Sequence, residues 1–194
     1  KSRKYTTAKK LINKIKKKKI QKTGEIYFEN KRIDNLENNH FEKIRGSEIS
    51  IIFQEPMSSL NPSMHCGHQI LEIILKHNSI STKKAKKRVL DLIKMVKILD
   101  PINTYKKYPH ELSGGQQQRI MIAIAISCDP KILIADEPTT SLDPIVKQEI
   151  LLLIKQIQRK KTMSVIFISH DLNLVSQLTD RTIVLKEGMI IELG

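Results

Sequence analysis

The apolar run Ile132-Leu133-Ile134-Ala135 leads straight into Asp136-Glu137-Pro138. Two adjacent carboxylates at the end of a buried strand are costly unless something there requires negative charge, and a hydrated Mg²⁺ on a nucleotide is the usual demand. One carboxylate then holds the metal through water while its neighbour orients and polarises the attacking water. Taken alone, the same pair also suits a helix cap or an ion pair. Leu112-Ser113-Gly114-Gly115-Gln116 opens an apolar helix. Ser113 can cap it, and the glycines let backbone N–H groups approach a phosphate to which the helix dipole adds positive potential. A plain capped helix with a flexible entry fits the same residues. Gln54 closes the run Ile49 to Phe53; it is placed either as a neutral ligand reaching metal or water, or as a polar residue ending a strand. His170 follows Val165 to Ile168 and Ser169, where an imidazole can hydrogen-bond a transferring phosphate or cap the next helix.

The elements that must position these residues follow from the hydrophobic pattern. Thr6 to Lys19 carries Leu11, Ile12 and Ile15 at helical spacing among many lysines, a helix with one apolar edge and a basic face that is either solvated or turned to an anionic partner. Short strands are predicted over Glu25 to Phe28 and Glu48 to Phe53, and helices over Gln69 to His77 and Lys83 to Lys97, the latter capped by Ser81 or Thr82. Pro109 opens a loop, a helix runs from Ser113 to Ser127, and Asp129-Pro130 breaks it before the strand Ile132 to Ala135. A helix from about Ile145 to Arg159, a strand Ser164 to Ile168, a helix from Asp171 and two strands around Glu187-Gly188 follow. Buried strands alternating with helices call for a parallel sheet with helices packed on it, an α/β architecture. Ligands of such sheets sit beyond the carboxyl ends of the strands, which is where Gln54, Asp136, Glu137 and His170 stand.

Composition bounds the alternatives. The 194 residues suit one domain or most of one, and the charge of +14 admits anionic partners without naming them. Hydrophobic residues at 40% and charged residues at 28% exclude a disordered or fibrous chain. Cys66 and Cys128 lack metal-ligand spacing and are too few for a disulfide framework, so reduced thiols are expected. No stretch reaches the ~18 consecutive apolar residues of a membrane span.

The order and spacing of the motifs are more specific than any one of them. Together they resemble the nucleotide-binding subunit of an ATP-binding cassette (ABC) transporter over nearly the whole chain. Phe53-Gln54-Glu55-Pro56 resembles the glutamine loop, residues 112–116 the LSGGQ signature, and Ile132 to Glu137 the Walker B strand. Ser141-Leu142-Asp143 resembles the aspartate loop and Ser169-His170-Asp171 the histidine switch. The resemblance implies a P-loop NTPase-like α/β fold with a parallel core sheet, a smaller antiparallel part and a helical subdomain. It divides the chain into a mainly helical signature part at about 55–128 and a catalytic core at 129–194. It implies ATP and Mg²⁺, with Asp136 on the metal through water, Glu137 as the catalytic carboxylate, His170 on the γ-phosphate and Gln54 sensing metal and water. Ser113, Gly114, Gly115 and Gln116 would bind nucleotide held by an opposite subunit, with Asp143 also at the nucleotide. Two such domains would meet head to tail. No G-x-x-x-x-G-K-S loop occurs in the sequence. Lys1-Ser2, followed by a helix and the Gly24-Glu25-Ile26 strand, reads as the end of that loop, with Lys1 on phosphate and Ser2 on the metal; the chain alone is then expected to bind ATP poorly and hydrolyse it little.

Residues 54–62, 108–112 and 135–140 are worded like the peptide-import branch, which includes dipeptide, oligopeptide, nickel and glutathione importers; Thr162 to Ile168 leans toward the glutathione type. The implied partners are two transmembrane permease subunits and, indirectly, an extracytoplasmic substrate-binding protein, with the chain peripheral on the cytoplasmic face of the membrane. The competing class is an ABC ATPase of nucleic acid or translation. The stretch from Gln54 to Ser113 is too short for the long coiled coil of chromosome and repair members, and no nucleic-acid partner is expected.

Overall fold

A computed structural model describes residues 24–36, 40, 43–54 and 59–194. Lys1, Ser2 and the lysine-rich segment Thr6 to Lys19 lie outside the described residues, as do Glu55 and Pro56 of the glutamine loop. No helix among the described residues is long and apolar enough to cross a membrane.

The sheet that carries the chemistry is parallel and three-stranded, in the order β3–β4–β5. Strand β3 is Ile49–Ile52, β4 is Ile132–Asp136 and β5 is Ser164–Ile168. The register sets Ile52 beside Ala135, and Asp136 beside Ile168, so all three strands deliver their carboxyl ends to one edge. Side chains alternate between the two faces, as the strand period of two requires. Ile52 and Leu133 enter the large core on one face; Ile49 and Ile134 join Ile33 in a small cluster on the other. A hairpin of β1 (Tyr27–Phe28) and β2 (Lys31–Arg32) supplies Phe28 to that smaller cluster, and a second hairpin is formed by β6 (Ile183–Lys186) and β7 (Met189–Leu193).

Between β3 and β4 runs a helical part. It comprises α1 (Cys66–His77), α2 (Thr82–Met95), α3 (Pro101–Lys106) and α4 (Gly114–Ala125). Helix α4 contacts both β3 and α5 (Pro144–Lys161), which ties the helical part to the sheet; α6 is Leu172–Leu178. Ile70, Ile74, Val89, Ile93, Ile120 and Ile122 are fully buried in one cluster with Ile150, Leu153 and Ile154 of α5. Each such side chain contributes about 1.5–3 kcal/mol of burial.

The caps follow the sequence. Ser81 accepts from the Lys84 N–H at 3.4 Å, settling the choice between Ser81 and Thr82. Asp143 caps α5 by accepting from the Val146 N–H, with Pro144 at the first helical position. Helix α3 is an addition to the sequence expectations. Asp100 caps it and Pro101 opens it, a start signal, but six residues are too few to show helical periodicity. Helix α1 begins three residues earlier than Gln69, because Cys66 and Gly67 are drawn into the core against Tyr105.

Candidate functional site

Glu137 is the first residue past β4. Its N–H donates to Ile168 O at 2.9 Å, so the β4–β5 ladder runs one bond beyond the strand and fixes where the residue stands. Its φ of 47° is left-handed, an uncommon and costly conformation for a residue with a side chain. The turn aims the carboxylate across the strand ends.

Side chains from beyond β3, from the turn after β4 and from beyond β5 converge on that carboxylate. Gln54 Nε2, just beyond β3, donates to Oε2 at 3.0 Å. Thr140 Oγ1 donates to the same oxygen at 2.8 Å and also lies 3.3 Å from the Glu137 carbonyl. His170 Nδ1, beyond β5, lies 3.2 Å from Oε1. Glu137 is 22% exposed and His170 69%, so the carboxylate is recessed and the imidazole stands at the mouth. Asp136, in contrast, is held inside the end of β4 at 6% exposure.

Beneath His170 the chain is pinned. Lys147 Nζ donates to Asp171 Oδ2 at 2.9 Å, and Asp171 Oδ1 accepts from the Leu174 N–H, capping α6. The Lys147 hydrogen bond, reinforced by the N-cap bond, holds the Asp171 carboxyl below the usual carboxylate range. Glu137, Thr140, Lys147, Phe167, His170 and Asp171 help line a cleft of about 300 Å³.

The glycine-rich motif forms the tip of α4. Ser113 Oγ accepts from the Gln116 N–H at 3.3 Å, while Gln116 Oε1 accepts from the Ser113 N–H at 3.2 Å, a reciprocal capping box. Ser113, Gly114 and Gln116 are exposed. A Cβ on Gly115 would stand 2.8 Å from Val146 Cγ1, and one on Gly114 would stand 3.8 Å from Leu142 Cδ2. The tip therefore lies against the loop that carries Asp143 into α5, and Asp143 itself is engaged as that helix's cap. Gln54, Glu137 and His170 thus meet at one carboxylate with Asp136 adjacent in sequence, while Ser113, Gly114 and Gln116 are exposed at the tip of α4, against the loop whose Leu142 also lines the cleft. Lys1 and Ser2 lie outside the described residues.

Two contributors were not singled out from sequence. Thr140 lacked any signal beyond its place three residues after Glu137, the spacing at which a turn folds a hydroxyl back on its neighbour. Lys147 sits one turn into α5, and only the fold brings it to Asp171.

Among the described residues no group of three or more His, Cys, Asp or Glu could hold a metal. That does not fit a metal caged by side chains; Asp136 and Gln54 are the oxygen-bearing side chains at the strand ends that could reach a cation held mainly by water and phosphates.

Residues 6–140 match the family described as ABC transporter. The oligopeptide transport ATP-binding protein OppD of Bacillus subtilis (strain 168) is 47% identical over 173 residues, covering 89% of this chain and 48% of that protein. The dipeptide transport ATP-binding protein DppD of the same organism is 48% identical over 171 residues, covering 88% and 51%. Among solved structures, the dimeric post-hydrolysis state of the ATP-binding cassette MJ0796 bound to ADP and Pi superposes with a TM-score of 0.77 at 29% identity, covering 89% of this chain and 73% of that one. The chain spans about half the length of the curated relatives it matches.

Proposed function

This chain belongs to the ABC transporter family, and from that premise we propose that it binds and hydrolyses ATP to energise import of peptides through a membrane transporter. The single observation that carries the chemistry is the convergence of Gln54, Thr140 and His170 on Glu137, a recessed carboxylate at the edge where three parallel strands end. Glu137 orients the attacking water and takes its proton. His170 holds the transferring phosphoryl group in line, and Gln54 reports the state of the site to the segment that follows it. Mg²⁺, when bound, neutralises charge developing on the phosphate oxygens; Asp136 would hold it through water, with Gln54 and, ahead of the described residues, Ser2 as further ligands. Lys1 would contact the phosphates.

The tip of α4 supports a composite pocket, since Ser113, Gly114 and Gln116 are exposed there and a helix N-terminus is partially positive. A second ATP-binding domain, apposed head to tail, would be the recipient, and a dimeric neighbour bound to ADP and Pi agrees with that arrangement. Two transmembrane permeases and, indirectly, an extracytoplasmic binding protein complete the proposed assembly, with this chain peripheral on the cytoplasmic face. Relatives named for oligopeptide and dipeptide transport support a cargo of the peptide class; glutathione, itself a small peptide, falls within it.

The test is ATP turnover by the chain carrying a glycine-rich loop ahead of Lys1, assembled with its membrane subunits, against the same assembly with Glu137→Gln. Turnover at the pocket that Glu137 serves should fall by at least about a hundredfold while ATP binding persists, the range for loss of a general base, leaving the assembly only the share of its second pocket. Undiminished turnover would remove Glu137 from this role.

A further inference from the structure

Helix α2 is built against its own electrostatics. Its inner face is committed to the core, with Ala85, Val89, Leu92 and Ile93 all buried. Its outer face carries Lys83, Lys84, Lys86 and Lys87, all exposed, with Arg88 beside them. No acidic residue stands in the first turn, although a helix N-terminus is itself partially positive and disfavours cations. Lys83 with Lys87, and Lys84 with Arg88, are four residues apart, the spacing at which like charges repel along a helix. Arg88 is drawn off to Asp129 at 2.6 Å. Among the described residues no ion pair includes the side chains of the four lysines. Asp91 is the one acid on the helix. Asp91, four residues beyond Lys87, offsets one charge at most, and the others have no acidic partner among the described residues.

We propose that the outer face of α2 is a docking surface for anionic phospholipid headgroups, holding the helical part of the molecule against the membrane. Clusters of four to eight Lys or Arg on one helix match such a surface, where each cation is drawn by the negative potential of the lipid. The apolar side chains of α2 are already buried, so the contact is electrostatic and superficial, without insertion. The helix holds no aromatic residue, which sets it apart from single-stranded nucleic-acid sites that stack bases on rings. Cytoplasmic loops of membrane proteins are themselves enriched in Lys and Arg, so lipid complements this charge better than a permease loop does. The proposal rests on the membrane setting of the function proposed above and not on its nucleotide chemistry.

The test uses no nucleotide. The full chain is sedimented with vesicles of phosphatidylcholine alone or mixed with phosphatidylglycerol, at low and physiological salt. Binding should require the anionic lipid and weaken with salt. Replacing Lys83, Lys84, Lys86 and Lys87 with Gln should lower partition by at least roughly tenfold, whereas Lys→Arg at the same four positions should preserve it. A charge-matched control, Lys31, Lys106, Lys160 and Lys186→Gln, should bind as the parent does. Equal binding by the α2 Gln variant, or an equal loss in the control, overturns the assignment. So does a fluorescence-anisotropy titration in which the α2 Gln variant loses more affinity for a single-stranded RNA than for vesicles. Circular dichroism reports folding throughout, and the Arg variant keeps the question decidable if the Gln variant unfolds.

Discussion

Glu137 works as an assembly point because its two oxygens have different neighbours. Gln54 and Thr140 both donate to Oε2, and His170 approaches Oε1. Thr140 therefore sets the rotation of the carboxylate without touching the reacting atoms. Thr140→Val keeps the shape and removes the donor; in an assembly whose opposing pocket is disabled it should lower kcat by about tenfold, the cost of roughly one hydrogen bond to a charged group, with KM for ATP little changed. Thr140→Ser should restore kcat, which a merely structural role for the methyl group would not allow. Asp171 offers a pH signature. Its folded pKa is depressed by Lys147 and by the Leu174 N–H, so its stabilising contribution is present above the ordinary carboxylate pKa and is lost as pH falls through the lower folded value. Lys147→Met should flatten that part of the acid limb in a thermal-melt series against pH. The sequence displayed Asp136, Glu137, Gln54 and His170 because each follows an apolar run. It did not display Thr140's bond, which depends on the left-handed turn at Glu137, a backbone feature that no residue type there announces.

Elements were legible in proportion to their length and burial. The strands over 132–136 and 164–168 and helix α4 stand out as apolar runs with clear starts, and their positions agree with expectation to within one or two residues. The order β3–β4–β5 was not legible, since apolar strands fit one another in any order until the helices between them choose a path. One glycine and one acid mark where elements depend on close contact. A Cβ on Gly67 would fall 2.2 Å from Tyr105 Cδ2, so α1 and α3 pack through the missing side chain. Gly67→Ala should lower stability by about 1–3 kcal/mol despite its better helix propensity, read as a reduced Tm; Gly67→Ala with Tyr105→Leu should recover part of the loss. At the N-terminal hairpin, the Arg32 guanidinium, helped by the Ile26 N–H, holds Asp34 down to about 2. That contribution should be complete above the ordinary carboxylate range near pH 4 and vanish on acidification toward pH 2, and Asp34→Asn should remove this pH dependence.

At the scale of the whole molecule, the function proposed above asks the tip of α4 and the Glu137 site to serve different pockets. Gln54, Thr140 and His170 gather on Glu137, while Ser113, Gly114 and Gln116 are exposed at the tip of α4. A pocket needing both is complete only when another ATP-binding domain contributes its own tip, and nucleotide bound between them then favours the paired state by linkage. The arrangement has a discriminating consequence in the assembled complex. Glu137→Gln combined with Ser113→Arg on this one chain damages both composite pockets, one through its base and the other through its tip. Glu137→Gln here combined with arginine at the signature serine of the opposing domain damages the same pocket twice and leaves its neighbour whole. If the tips act across the interface, the second combination should retain about half of the parent turnover, while the first should retain almost none, a departure from additivity that reads out which residues share a pocket. Were each tip to serve its own chain's Glu137, the ranking would invert: the first combination would confine its damage to one pocket and the second would spread it over two. Steady-state ATP turnover of the two double variants therefore separates the head-to-tail assembly from a self-contained site without requiring any knowledge of the cargo.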